Sequence, residues 1–231
     1  MSTSSLAKPT VFVVDDDQQM RESLCALLQV LKFNVSAFST PGSFHRFYRA
    51  DMPGCLLLDI RMPRQTGVEL YEQLLREGKR LPVIFITAHA SVETAVAAMK
   101  TGAIEFMEKP FDRETLVNLV SKGLALDAQW RQRDTEFTDL ADRIAQLTRR
   151  ERETLELIQS GETNKAIAAK LSITERAIEM RRSRIMKKLG VRSVAEMLDL
   201  SLTHRILSDL RRAANPRLDL PGNNLGPAFA R

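Results

Sequence analysis

Apolar residues follow two rhythms along this chain. In the first half, five short runs recur about 20 to 25 residues apart: Thr10–Val14 (TVFVV), Asn34–Phe38 (NVSAF), Gly54–Asp59 (GCLLLD), Pro82–Thr87 (PVIFIT) and Ile104–Met107. Their length and β-branched content predict strands. Between them the period lengthens to that of a helix. Residues 18–31 place Met20, Leu24, Leu27, Leu28 and Leu31 on one face, a further helix is expected over 92–101, and Asp112 opens one over 112–126 bearing Leu116, Leu119 and Val120. Strands alternating with helices predict an α/β, doubly wound (βα)5 parallel sheet, whose ligand crevice lies beyond the carboxyl ends of the strands.

The second half has only the helical rhythm. Leu126, Trp130, Arg133, Phe137, Leu140, Ile144 and Leu147 follow alternating spacings of four and three, with Arg133 as the breach. This is the seam of a helix that either pairs with a second copy or packs on its own chain. Thr148 with Glu151 forms a capping box, Thr163 and Thr174 can cap the helices Asn164–Leu171 and Glu175–Leu189, and Ser193 with Glu196 opens a fourth helix to about Arg212. Gly161 and Gly190 serve as terminators. A linker helix followed by a four-helix, all-α domain is therefore expected. The tail from Ala213, rich in Pro, Gly and Asn, is expected to be disordered.

Composition adds three points. The 231 residues suit two domains of modest size. Cys25 and Cys55 lie in apolar stretches without CxxC spacing, as buried free thiols do. With no apolar run long enough to span a bilayer and no secretion signal, a cytoplasmic protein without a membrane partner is expected. The net charge of +5 is unevenly distributed: residues 1–127 carry 14 basic and 15 acidic side chains, residues 128–231 carry 20 and 14. A localised basic excess suits a polyanionic partner.

In the expected sheet, three strands end in functional groups, at Asp15, Asp16 and Asp17, at Asp59, and at Thr87, with Lys109 just after the fifth. Gathered carboxylates repel unless a cation lies among them, and an all-oxygen set suits a hard ion such as Mg²⁺. Lys109 adds a positive charge and Thr87 a hydroxyl donor. Such a group can hold a phosphoryl moiety while one carboxylate acts as nucleophile.

The segments VVDDD (13–17), LLLDIRMP (56–63), FITAHA (85–90) and EKPF (108–111) resemble the four signatures of the receiver domain of two-component response regulators. The resemblance implies that Asp59 is the phosphoacceptor. Asp15, Asp16, Asp59 and the backbone carbonyl of Arg61 would bind Mg²⁺, and Thr87 and Lys109 would contact the phosphoryl group. Thr87 and Phe106 would act as the switch, and the Lys109–Pro110 bond would be cis. An aspartate-nucleophile phosphatase is disfavoured, because Arg61 stands where such enzymes need a second Asp.

Residues 147–193, LTRRERETLELIQSGETNKAIAAKLSITERAIEMRRSRIMKKLGVRS, resemble the LuxR-type helix-turn-helix of the FixJ/NarL group. In the helix Glu175–Leu189, Ile178, Ile185 and Leu189 face the core. Arg176, Glu179, Met180, Ser183 and Lys187 lie on the other side, flanked by Arg181, Arg182 and Arg184. These residues, with Lys165, are the expected contacts to double-stranded DNA. Glu179 departs from a frequent Lys in the family and Arg181 from a frequent His, so the bases read cannot be borrowed from relatives.

The two resemblances together imply a receiver over 1–127, a linker helix over 128–147, a helix-turn-helix domain over 148–212 and a disordered tail over 213–231. They imply a transcriptional regulator that is phosphorylated by a sensor histidine kinase, dimerises when phosphorylated and engages the transcription machinery. The competing expectation is a constitutive DNA-binding protein whose receiver is only a dimerisation scaffold.

Overall fold

A computed structural model describes residues 8–88 and 91–214, with the side chains of 211–214 left aside. The chain forms two compact units, divided between Gln132 and Arg133.

In the first unit, β1 (Thr10–Val14), β2 (Asn34–Phe38), β3 (Gly54–Asp59), β4 (Val83–Thr87) and β5 (Glu105–Glu108) pair in parallel in the order β2-β1-β3-β4-β5. The α/β doubly wound expectation is met. Alternation along each strand builds two cores. Phe12, Val14, Leu56, Leu58, Val83 and Phe85 face one way, onto Phe44 and Tyr48 of the α2 region (Pro41–Phe47) and Leu70, Tyr71 and Leu74 of α3 (Gly67–Arg76). Val11, Val13, Cys55, Leu57, Ile84 and Ile86 face the other, onto Leu24 and Leu28 of α1 (Gln18–Val30) and Leu116 and Val120 of α5 (Arg113–Ala145). Ala98 of α4 (Val92–Lys100) joins the first face. Two expected strands begin one residue late. Pro82 has no N–H to give and takes part only through its carbonyl, which accepts from Leu56 N–H at 2.8 Å.

The expected division between a last receiver helix and a separate linker helix is not observed. One helix, α5, runs from Arg113 to Ala145. No Pro interrupts the sequence, and Gly123 stays helical where a Cβ would stand 3.0 Å from that of Cys55. The residues just past 126 are held by the first unit. Buried Asp127 accepts from Gly54 N–H at 2.8 Å and from Arg131 Nε at 2.7 Å. Arg131 also reaches the carbonyls of Ala50 and Met52, and the Arg80 guanidinium lies 3.6 Å over the Trp130 ring.

The second unit holds α6 (Arg149–Gln159), α7 (Asn164–Lys170), α8 (Glu175–Leu189) and α9 (Val194–Ala214). Thr148, Thr163 and Thr174 cap the first three as expected, and Gly190 ends α8 in the left-handed region. The capping box at the fourth is rearranged: Ser193 accepts from Glu196 N–H, while the Glu196 carboxylate takes Arg192 N–H instead. Ile158, Ile167, Ile178, Ile185, Leu189 and Met197 form the core. Leu147 is buried in it, Ile144 packs against it, and the Phe137 ring stacks on His204 at 5.3 Å. Trp130 and Phe137 are thus half-buried against their own units, and Ile144 and Leu147 belong to the core of the second. The expected disordered tail lies outside the described residues from 215 on.

Candidate functional site

The strand order reverses direction of winding between β1 and β3, and the carboxyl ends of those strands open the crevice expected of such sheets. Asp15 follows β1 and Asp59 ends β3. Ligand oxygens of Asp15, Asp16 and Asp59 lie within 4.8 Å of one another, with Asp15 and Asp59 buried and Asp16 exposed. Lys109 Nζ sits 2.8 Å from Asp15 Oδ2 and 3.8 Å from Asp59 Oδ1. Burial pushes the Asp59 carboxyl up to about 6; Lys109 opposes this, Asp15 and Asp16 add to it, and a hydrogen bond from Arg61 N–H opposes it again. One ammonium thus faces three carboxylates, and this excess of negative charge on oxygen ligands fits a hard divalent cation.

The remaining expected residues lie on or just after β4 and β5. Thr87 is fully buried at the end of β4, and its carbonyl accepts from Lys109 N–H at 2.8 Å. The Lys109–Pro110 bond is cis. Phe106 of β5 stands in register with Phe85 and packs half-buried against the first core.

Two supporting residues escaped the reading of the sequence. Arg21 Nη1 donates to the Asp15 carbonyl at 2.7 Å. Its trace was a cation in the first turn of a helix, where the dipole disfavours it unless a partner is near. Gly67 opens α3, and a Cβ there would stand 2.2 Å from the Asp59 carbonyl oxygen, so the α3 backbone closes on the strand end only as glycine. Nothing in its local sequence signals that approach.

In the second unit, Arg176, Glu179, Met180, Ser183, Arg184 and Lys187 are exposed along α8, and Lys165 is exposed on α7. Arg181 and Arg182 are not freely presented. Arg181 Nη1 lies 3.4 Å from Thr154 Oγ1, and Arg182 Nη1 donates to Asn164 Oδ1 at 2.6 Å. Lys188 Nζ pairs at 2.7 Å with buried Glu151, which also caps α6, so this ion pair fastens α8 to α6.

Comparison with known proteins agrees with this arrangement. Residues 11–121 match the response regulator receiver domain, and residues 145–201 match the luxR family of bacterial regulatory proteins. Response regulator protein TodT of Pseudomonas putida is 32% identical over 87% of this chain and 87% of its own. The chain belongs to the two-component response regulators. The transcriptional regulatory protein FixJ of Azorhizobium caulinodans is 36% identical to this response regulator over 83% of the chain and 91% of FixJ. Among solved structures, that of response regulator StyR has 43% identity and a TM-score of 0.78, covering 85% of the chain and all of StyR. Full-length FixJ from B. japonicum has 32% identity and a TM-score of 0.53, covering 87% and 98%.

A receiver implies a kinase partner and a LuxR-type domain implies DNA, so this response regulator is a phosphorylation-regulated DNA-binding protein. Its relatives are transcriptional regulators rather than enzymes. Among the described residues, no helix is long and apolar enough to cross a membrane.

Proposed function

We propose that Asp59 accepts a phosphoryl group from the phosphohistidine of a sensor kinase. An Asp59 carboxylate oxygen attacks phosphorus, the P–N bond breaks, and the imidazole leaves with its electron pair. Asp15, Asp16, Asp59 and the Arg61 carbonyl would hold Mg²⁺, which would supply positive charge against the phosphoryl oxygens. Lys109 compensates a further oxygen and the Thr87 hydroxyl donates to another. Thr87 moving toward the phosphoryl group makes room for Phe106 to turn inward. The same residues assist later hydrolysis of the acyl phosphate. The observation that carries this reading is the convergence of Asp15, Asp16, Asp59 and Lys109 at the ends of three different strands.

The output is carried by residues 148–212, joined to a receiver over 1–127. Phosphorylation promotes a homodimer that sets two α8 helices into successive major grooves, about 34 Å apart. Arg176, Glu179, Met180 and Ser183 face base edges. Lys165, Arg184 and Lys187 meet phosphates, with Arg181 and Arg182 at the margin. The site of action is the cytoplasm, and the transcription machinery is the final partner.

Labelling with a phospho-donor and Mg²⁺ tests the first half: acid-stable, base-labile label is expected on the wild type and absent from Asp59→Asn. Retention of the label in the variant overturns the assignment. DNA affinity and oligomeric state unchanged by beryllofluoride would favour a constitutive regulator instead.

A further inference from the structure

The outer face of α8 carries an unusual pair for a surface that meets a polyanion. Arg176, Met180, Ser183 and Lys187 succeed one another at spacings of four, three and four residues, so they form one stripe, with Glu179 beside Met180. Met180 is 52% exposed and Glu179 is exposed, while Ile178, Ile185 and Leu189 fill the opposite face. The two arginines next to this pair are turned to Thr154 and Asn164. The middle of this face thus holds Met180 and Ser183 with the acidic Glu179 beside them, and neither Met180 nor Glu179 can bind phosphate.

Resting on the DNA-binding reading above, we propose that Met180 and Glu179 are specificity-determining residues, reading a thymine methyl group and the amino group of a neighbouring cytosine respectively. A carboxylate offers acceptors only. In the major groove it meets the O6 and N7 of guanine and the O4 of thymine as like with like. The N7 of adenine stands close beside that base's amino group, whereas cytosine presents its N4 amino donor without a competing acceptor. Glu179 thus selects cytosine and rejects guanine. Met180 is long, unbranched and polarizable, and the apolar feature within its reach in that groove is the thymine 5-methyl group.

The test begins with selection of binding sites by the full chain, with Mg²⁺ and beryllofluoride, from randomised duplexes. Each thymine of the enriched half-site is then replaced by uracil, which deletes only the methyl group. One such replacement is expected to weaken wild-type binding about four-fold and to leave Met180→Ala unaffected. Repeating the selection with Glu179→Gln is expected to exchange one cytosine for adenine, because an amide can both donate and accept at the adenine edge. Equal uracil penalties in wild type and Met180→Ala, or no penalty at any position, overturn the role of Met180. Retained cytosine in the Glu179→Gln selection overturns that of Glu179. If no sequence is enriched at all, the DNA-binding reading falls with both.

Discussion

Asp59 is raised to about 6 chiefly because it is buried, with Asp15 and Asp16 adding their repulsion against Lys109. Its unfolded value is near 3.9. A carboxyl raised on folding stabilises the native state while protonated, and that contribution disappears as pH rises from about 4 to about 6. With metal removed by chelation, the wild-type first unit should therefore lose stability on the order of 3 kcal/mol across that window. Asp59→Asn should not lose it, and should be the more stable protein at pH 7. Urea titrations of both proteins at several pH values check this; parallel pH dependences would refute it. At this scale the carboxylates, Thr87 and Lys109 were legible because chemistry confines them to strand ends. Gly67 was not, since what demands a glycine is the Asp59 carbonyl eight residues earlier, brought near only by the turn into α3.

Caps and terminators made most element boundaries readable: Thr148, Thr163, Thr174 and Gly190 each act where their residue type acts best. The continuity of α5 was not readable, because the sequence contains both a receiver helix and a heptad-like seam and nothing local says that they join. What holds the junction is tertiary. Arg131 links Asp127 to the carbonyls of Ala50 and Met52, ahead of the strand that carries Asp59. Arg131→Ala leaves the buried Asp127 carboxylate with only the Gly54 N–H of these partners, and should cost roughly 3 kcal/mol. Hydrogen exchange should quicken at residues 124–132, and the double variant with Asp127→Asn should recover part of the loss. Unchanged exchange there would mean that α5 holds without this clamp.

Each unit has its own core, so the molecule should unfold in two steps. If, as proposed, Mg²⁺ binds among the carboxylates, it would stabilise only the first unit, by about 2.7 kcal/mol at a hundred-fold excess over its dissociation constant. Calorimetry with Mg²⁺ and then with chelator should move one transition and leave the other in place; equal movement of both would deny a local site. Divided at that line the charge separates as well, with 15 basic and 15 acidic side chains in residues 1–132 against 19 and 14 in residues 133–231. A last consequence concerns Trp130, the chain's only tryptophan, which lies beneath Arg80 a few residues before the boundary at Arg133. Its emission is a native optical gauge of that turn of α5. Without any label, fluorescence can follow whether phosphorylation loosens the hold on α5 while circular dichroism follows the helices of both units.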